Sequence, residues 1–240
     1  LICFFCFLFF SFVSAAQVRR AIDFNKDWKF YLGNDSLAYE ESHDDSKWRK
    51  LNLPHDWSIE SEFKKDAPAT NQGGSLPGGI GWYRKSFKVP AADSNKVYTI
   101  CFDGVYRNSE VWINGNYLGK RPYGYVPFSY ELTRFLNLGK INTIAVKVDN
   151  SHQPDSRYYT GSGIYRDVKL NITGLTHLIE SGVFVVPQLY NDSLAELSIQ
   201  TNLYVRNPRY EVLDIQYEVL DPKGKKIPDA YQEELPVRRA

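Results

Sequence analysis

Methionine is missing from all 240 residues, and there are only 3 cysteines and 4 histidines. A complete reading frame opens on methionine, so the chain is expected to start inside a longer one. Cys3 and Cys6 fall within an apolar run at the start, leaving Cys101, and one thiol closes no intrachain disulfide. Cys101 lies in the strand-like stretch Val97-Tyr98-Thr99-Ile100-Cys101-Phe102 with no base or cation beside it in sequence. That setting argues against a reactive thiolate and predicts a small core residue. His43, His55, His152 and His177 are scattered, and no metal-ligand spacing appears. An excess of charge of one sign is lacking too. With 29 Lys and Arg against 28 Asp and Glu, no cationic surplus awaits a phosphate backbone, so nucleic acid is not an expected partner. Helical periodicity beyond two turns is nearly absent after residue 20, and no Gly-x-Ser-x-Gly elbow supports a serine nucleophile.

What the chain does hold begins with Leu1 to Val13, almost wholly apolar, followed by Ser14-Ala15-Ala16. The pattern predicts a signal peptide over residues 1–16, cleaved near Ala15 or Ala16, and hence an exported protein, periplasmic or extracellular. The run is short of the roughly 20 residues that a permanent membrane helix requires.

Strands and turns follow. Val111, Trp112 and Ile113 lead into Asn114-Gly115, a pair that tolerates positive φ twice, and Tyr117-Leu118 lead out, which predicts a hairpin. From Asn142 to Asn150, Ile144, Val146 and Val148 alternate with Ala145, Lys147 and Asp149, as a half-buried strand requires. Further strands are predicted over Trp82–Val89, Lys96–Phe102, Tyr125–Glu131 and Ile164–Asn171. Gly174 breaks the pattern, and a second series follows: Val183–Val186, Ala195–Val205 and Glu211–Leu220, with a turn at Asp221-Pro222-Lys223-Gly224. The expected fold class is all-β: a two-sheet sandwich or jelly roll over residues 17–174, then an incomplete immunoglobulin-like sandwich over 175–240. A complete sandwich of the latter type needs about 100 residues, so the chain is expected to be truncated at its end as well.

Candidate chemistry is sparse. The glycine-rich stretch from Asn71 to Gly81 runs into a strand and not a helix N-terminus, so it reads as a surface loop and not a phosphate cradle. The adjacent acids Glu40-Glu41, Asp44-Asp45 and Glu233-Glu234 lie in polar stretches and read as solvated surface, whereas glycosidase chemistry needs two carboxylates facing one bond. More informative is the aromatic load of 5 Trp, 17 Tyr and 14 Phe. Aromatic faces pack on the C–H faces of sugar rings, and Asp, Asn and Arg bond the hydroxyls. The stretch from Asp149 to Tyr159 combines both ingredients in a loop leaving a strand, where binding residues concentrate on sandwich folds.

At this loop the chain resembles glycoside hydrolase family 2, in its β-galactosidase branch. Asp149-Asn150-Ser151 through Gly161-Ser162-Gly163-Ile164-Tyr165-Arg166-Asp167-Val168 is similar to the family's strand-exit loop and S-G-I-x-R-D-V stretch. Leu53-Pro54-His55-Asp56-Trp57 resembles its P-H-D-W segment. Pro77-Gly78-Gly79-Ile80-Gly81-Trp82-Tyr83-Arg84-Lys85 resembles another block, and Asp103-Gly104-Val105 with the hairpin at Asn114 a third. The resemblance covers about residues 20 to 172. It implies a jelly-roll, galactose-binding-like domain that lends a polar loop to the pocket of the terminal sugar. It also implies a (β/α)8 barrel, absent from this chain, that carries both catalytic glutamates; no catalytic residue is assigned here. Substrate-binding positions implied by the motifs are Asp149, Asn150, Arg157, Tyr158, His55 and Asp56, with Asp149 also beside a monovalent cation. Arg166 and Asp167 are expected to form a structural pair on the departing strand. No cofactor is expected in the chain itself; Na or Mg is an expectation for the full-length enzyme. The implied partners are a β-galactoside oligosaccharide or glycan, the chain's own barrel and, at full length, further copies of itself. The isolated chain is expected to bind glycans weakly or not at all and to hydrolyse none. Alternatives are a β-glucuronidase or β-mannosidase of the same family, a stand-alone carbohydrate-binding module, or a structural sandwich of a cell-surface protein.

Overall fold

The computed structural model describes residues 19–205, 215 and 217–227. The expected signal peptide, Cys3, Cys6, the pair Glu233-Glu234 and most of the predicted strand Glu211–Leu220 lie outside the described residues. The described residues form twelve strands: β1 (Arg20–Asp23), β2 (Trp28–Leu32), β3 (Arg49–Leu51), β4 (Gly79–Lys88), β5 (Val97–Phe102), β6 (Ser109–Ile113), β7 (Asn116–Arg121), β8 (Phe128–Glu131), β9 (Ile141–Asn150), β10 (Val168–Thr173), β11 (Thr176–Asn191) and β12 (Leu194–Val205). Two compact units divide the chain, Leu1–Tyr204 and Val205–Ala240. In the second unit, Leu220 bridges Lys226 across a turn in which Asp221 Oδ1 accepts from the Lys223 and Lys225 amides at 2.9 and 2.8 Å.

In the first unit, an antiparallel four-stranded sheet of order β1-β10-β5-β8 faces a six-stranded one of order β3-β2-β4-β9-β6-β7. Alternation aims Phe30, Tyr83, Val111, Ile144, Val146 and Val148 of the six-stranded sheet at Ile100, Phe102, Phe128, Val168 and Leu170 of the four-stranded one, and together they form one core. Burying each such side chain contributes roughly 1.5–3 kcal/mol. Strands β11 and β12 pair with each other in a separate ribbon.

The predicted hairpin is present: Asn114 and Gly115 hold φ of 48° and 75° between β6 and β7. Two predicted strands start late, for physical reasons. β8 begins at Phe128, after Pro127, which has no amide to give a ladder. β10 begins at Val168 and not Ile164 because the preceding backbone is engaged elsewhere. The Ile164 carbonyl accepts from His55 N at 2.8 Å and the Ser162 carbonyl from Trp57 N at 3.1 Å, while Gly163 and Tyr106 exchange two bonds of 2.9 Å. Gly163 sits at φ +128°, and a Cβ there would meet Tyr83 Oη at 2.4 Å.

Cys101 is buried, with Asn171 Nδ2 3.3 Å from its sulfur, and burial pushes its thiol up to about 11. One expectation is corrected. Asp45 is not a solvated acid; it accepts from Arg84 Nε at 2.9 Å and pairs with Lys29. Arg84 is buried and also donates to the Ala38 and Glu40 carbonyls, so the Asp45–Arg84 pair fastens the segment between β2 and β3 onto the outer face of β4. Burial opposes ionisation of Asp45, but the hydrogen bonds and charges of Lys29 and Arg84 outweigh it and hold the carboxyl below its ordinary value.

Candidate functional site

The site is built where β9 ends beside the start of β4. Ile80 pairs with Asp149 and Gly79 with Asn150, and alternation along β9 sends these two side chains to opposite faces. Gly78 makes the close approach possible, since a Cβ there would lie 2.2 Å from the Asn150 carbonyl oxygen. The glycine-rich stretch thus packs tightly under the loop, and it ends in a strand as expected.

Asp149 points outward and is half-buried. Its Oδ1 accepts from the Ser151 amide at 3.1 Å and from the Ser151 hydroxyl at 2.6 Å. Its backbone is fixed by Arg107, whose carbonyl accepts from Asp149 N at 3.0 Å, and by Asn108 Nδ2, which donates to the Asp149 carbonyl at 3.1 Å. Partial burial opposes its ionisation. The two Ser151 bonds, with Lys147 and His152 nearby, outweigh that and hold the carboxyl below the usual aspartate value. The side chain is therefore a charged acceptor, pre-oriented by one oxygen.

Asn150 points inward and is 2% exposed. Its Nδ2 donates to the Gly161 carbonyl at 3.0 Å and to Ser162 Oγ at 2.8 Å, and its Oδ1 accepts from Gln153 Nε2 at 2.8 Å. Ser162 Oγ lies 2.8 Å from Ser58 Oγ, which in turn donates to the Pro77 carbonyl. Asp56 closes the same network: Oδ1 accepts from the Ser58 and Ser162 amides at 3.0 and 2.9 Å, and Oδ2 accepts from the Tyr159 hydroxyl. The structure thus brings Asp56 and Asn150 together as the internal frame of the loop, with Asp149 on its outer side. Ser58, Ser162 and Tyr159 were not singled out in the sequence. Ser58 and Ser162 stand 104 positions apart, so no local pattern joined them, although Ser162 and Tyr159 fall within the stretches quoted above.

His55 is 8% exposed and lies deeper in the same segment. His55 Nε2 lies 2.8 Å from Arg49 NH2, which can only donate, and 3.2 Å from Glu60 Oε1, which can only accept, while Nδ1 lies 2.7 Å from Tyr83 Oη. Burial lowers the His55 pKa below the ordinary value, against the raising effect of Glu60 and with the help of Arg49. Between that lowered value and the unfolded one of about 6.5, the unfolded chain binds a proton that the folded chain does not. This part of the stability is full above the unfolded value and is lost as pH falls. Urea midpoints are expected to drop from pH 7 toward pH 5 in the native chain, with a slope no steeper than one proton, and a His55→Gln variant should not show that slope. Equal slopes for the two proteins would contradict the assignment.

Arg157 and Tyr158 lie at the exposed turn of the loop, Tyr158 at 61% exposure. Below them Asp155, whose side chain is 5% exposed, accepts from Tyr106 Oη at 2.7 Å and from Arg107 at 3.1 Å. This buried anchor, also not singled out in sequence, ties the loop to the segment that fixes the Asp149 backbone. Arg166 and Asp167 do not form the expected pair. Asp167 Oδ1 accepts from Asn25 Nδ2 at 3.0 Å, while the Arg166 guanidinium lies over the Tyr165 ring, 5.6 Å from its centroid.

Residues 22–174 match the family model described as glycosyl hydrolases family 2, sugar binding domain. The chain is 45% identical over 214 residues to beta-galactosidase BoGH2A of Bacteroides ovatus, a match covering 89% of this chain and 25% of that protein. It is 43% identical over 209 residues to a putative beta-glucuronidase of Formosa agariphila, covering 87% and 20%. Among solved structures, a beta-glycosidase from Bacteroides vulgatus superposes with a TM-score of 0.77 at 43% identity, over 86% of this chain and 27% of that one. A Bacteroides uniformis beta-glucuronidase superposes at 0.68 with 32% identity, over 76% and 22%. The chain spans about a quarter of the length of the relatives it matches.

Proposed function

The chain belongs to glycosyl hydrolase family 2, and from that premise we propose that it is the sugar-orienting part of an exported enzyme that hydrolyses terminal β-galactosides. The observation that carries this is the Asp149 carboxylate. It is charged, fixed through Oδ1 and held at the mouth of the loop, with no protein partner on Oδ2 among the described residues. Such a group accepts from two adjacent sugar hydroxyls and orients the ring without moving. The exposed Tyr158 offers a ring face to the C–H side of the sugar, and Arg157 a donor at the rim. A negative charge here disfavours a uronate whose carboxylate would approach it, which supports the reading of a neutral hexose such as galactose. His55, Asp56 and Asn150 act from behind, by keeping the loop in shape.

In this account the chain contributes no acid or nucleophile. Its part in catalysis is orientation, which lowers the barrier by holding the glycosidic bond in line with groups supplied by the rest of the enzyme. Asp149 Oδ2 also suits a monovalent cation shared with sugar oxygens. The described residues contain no group of three or more His, Cys, Asp or Glu side chains suited to a metal, so they do not fit an all-protein Mg2+ cage.

A hybrid tests the proposal. Replacing the matching segment of the Bacteroides ovatus beta-galactosidase with this chain is expected to give an enzyme that cleaves 4-nitrophenyl β-galactoside at least ten times faster than the β-glucuronide. The 240-residue chain alone is expected to cleave neither. Turnover by the chain alone, or a folded hybrid that prefers the glucuronide, would refute it.

A further inference from the structure

The ends of β5, β8 and β10 enclose a shallow depression of about 360 Å3, lined by Pro54, Asp103, Pro127, Tyr165, Arg166 and Asp167. It lies at the end of the four-stranded sheet, whereas Asp149 ends a strand of the six-stranded one.

Three features distinguish it from ordinary surface. Its side chains are fixed. Tyr165 Oη donates to the Gly124 carbonyl at 2.9 Å, and Asn25 holds Asp167 Oδ1 while its own Oδ1 accepts from Val168 N at 2.8 Å. A Cβ on Gly104 would lie 2.8 Å from the Tyr165 ring and 3.0 Å from Arg166 Cδ, so ring and stem rest directly on backbone. Its polar groups are also unspent. Arg166 has no ion pair among the described residues, Asp167 uses one oxygen on Asn25, and Asp103 uses one oxygen on Lys169 at 2.9 Å. Finally, its charges are near balance once Lys169, outside the lining but paired with Asp103, is set beside Arg166 and Asp167, so no strong net field selects an anion or a cation. Apolar walls of proline and tyrosine beneath a balanced rim of donors and acceptors match a neutral, polyhydroxylated ring.

We propose that this depression is a sugar subsite that takes one residue of a neutral saccharide, with Arg166 donating to ring hydroxyls and Asp103 and Asp167 accepting from them. It goes beyond the role given to Asp149 and stands without it.

Saturation-transfer NMR on the full 240-residue chain, with lactose and glucuronate as probes at millimolar concentration, tests this. Near-UV circular dichroism of each variant reports its fold. Lactose is expected to give the stronger signal. That signal should persist within twofold in Lys88→Ala, an exposed position at the far end of β4 from Asp149, and fall at least fivefold in both Arg166→Gln, which keeps the stem packed on Gly104, and Asp167→Asn, which keeps the Asn25 bond. Three results would each overturn the subsite: a lactose signal unmoved in Arg166→Gln and Asp167→Asn, a stronger signal from glucuronate, or no signal from either sugar.

Discussion

Asn150→Ala is expected to cost about 3–5 kcal/mol of stability, because it removes one buried side chain and three of the hydrogen bonds that close the loop at once. The Gly161 carbonyl and Ser162 Oγ lose a donor, and Gln153 loses the oxygen it holds at 2.8 Å. Each buried polar group left without a partner costs roughly 1–3 kcal/mol, a large part of the roughly 5–15 kcal/mol that holds a domain folded. Asn150→Asp is expected to be no milder, since a carboxylate cannot donate, would set oxygen against oxygen at the Gly161 carbonyl and would bury a charge. Gln153→Ala, at a half-buried position on the rim of the same network, should cost about 1 kcal/mol. Urea denaturation of the three variants beside the native chain provides the comparison. An Asn150→Ala midpoint equal to that of Gln153→Ala would show that the network carries little of the loop's stability, and with it that Asp149 is not pre-oriented from behind.

The sequence made much of this frame legible, and the limits were physical. The alternation of Ile144, Val146 and Val148 along β9 puts Asp149 on the face opposite to them, as the structure has it. The Asn114-Gly115 pair locates the hairpin for an equally local reason, its two positive φ angles. What stayed hidden depends on groups distant in sequence. Asp45 sits in a polar stretch and reads as solvated until Arg84, 39 residues later, meets it under the β2–β3 segment. Ile164 reads as the start of a strand, but the 53–57 segment claims its carbonyl. The motif Arg166-Asp167 reads as an ion pair, yet the two side chains part to Tyr165 and Asn25. Adjacent opposite charges on an extended backbone point to opposite sides, and that geometry was available in principle.

The largest effect on activity is expected at Asp149. In the Bacteroides ovatus hybrid, Asp149→Ala removes a charged acceptor that is already ionised and oriented before the sugar arrives. Only Ser151 among the described residues spends its hydrogen bonds on that carboxylate, so little structural cost should accompany its loss. A hydrogen bond to a charged group that strengthens as the bond breaks typically accounts for a factor of about 10²–10³ in rate, and loss of orientation adds to it. Asp149→Asn keeps the shape and one acceptor oxygen but not the charge, and should fall between the two. The decisive measurement is kcat/KM for 4-nitrophenyl β-galactoside in the hybrid with and without Asp149→Ala, alongside the melting temperature of each. The account predicts a loss of at least about 100-fold with the melting temperature unchanged. An Asp149→Ala hybrid that keeps its kcat/KM within twofold of the parent would contradict it.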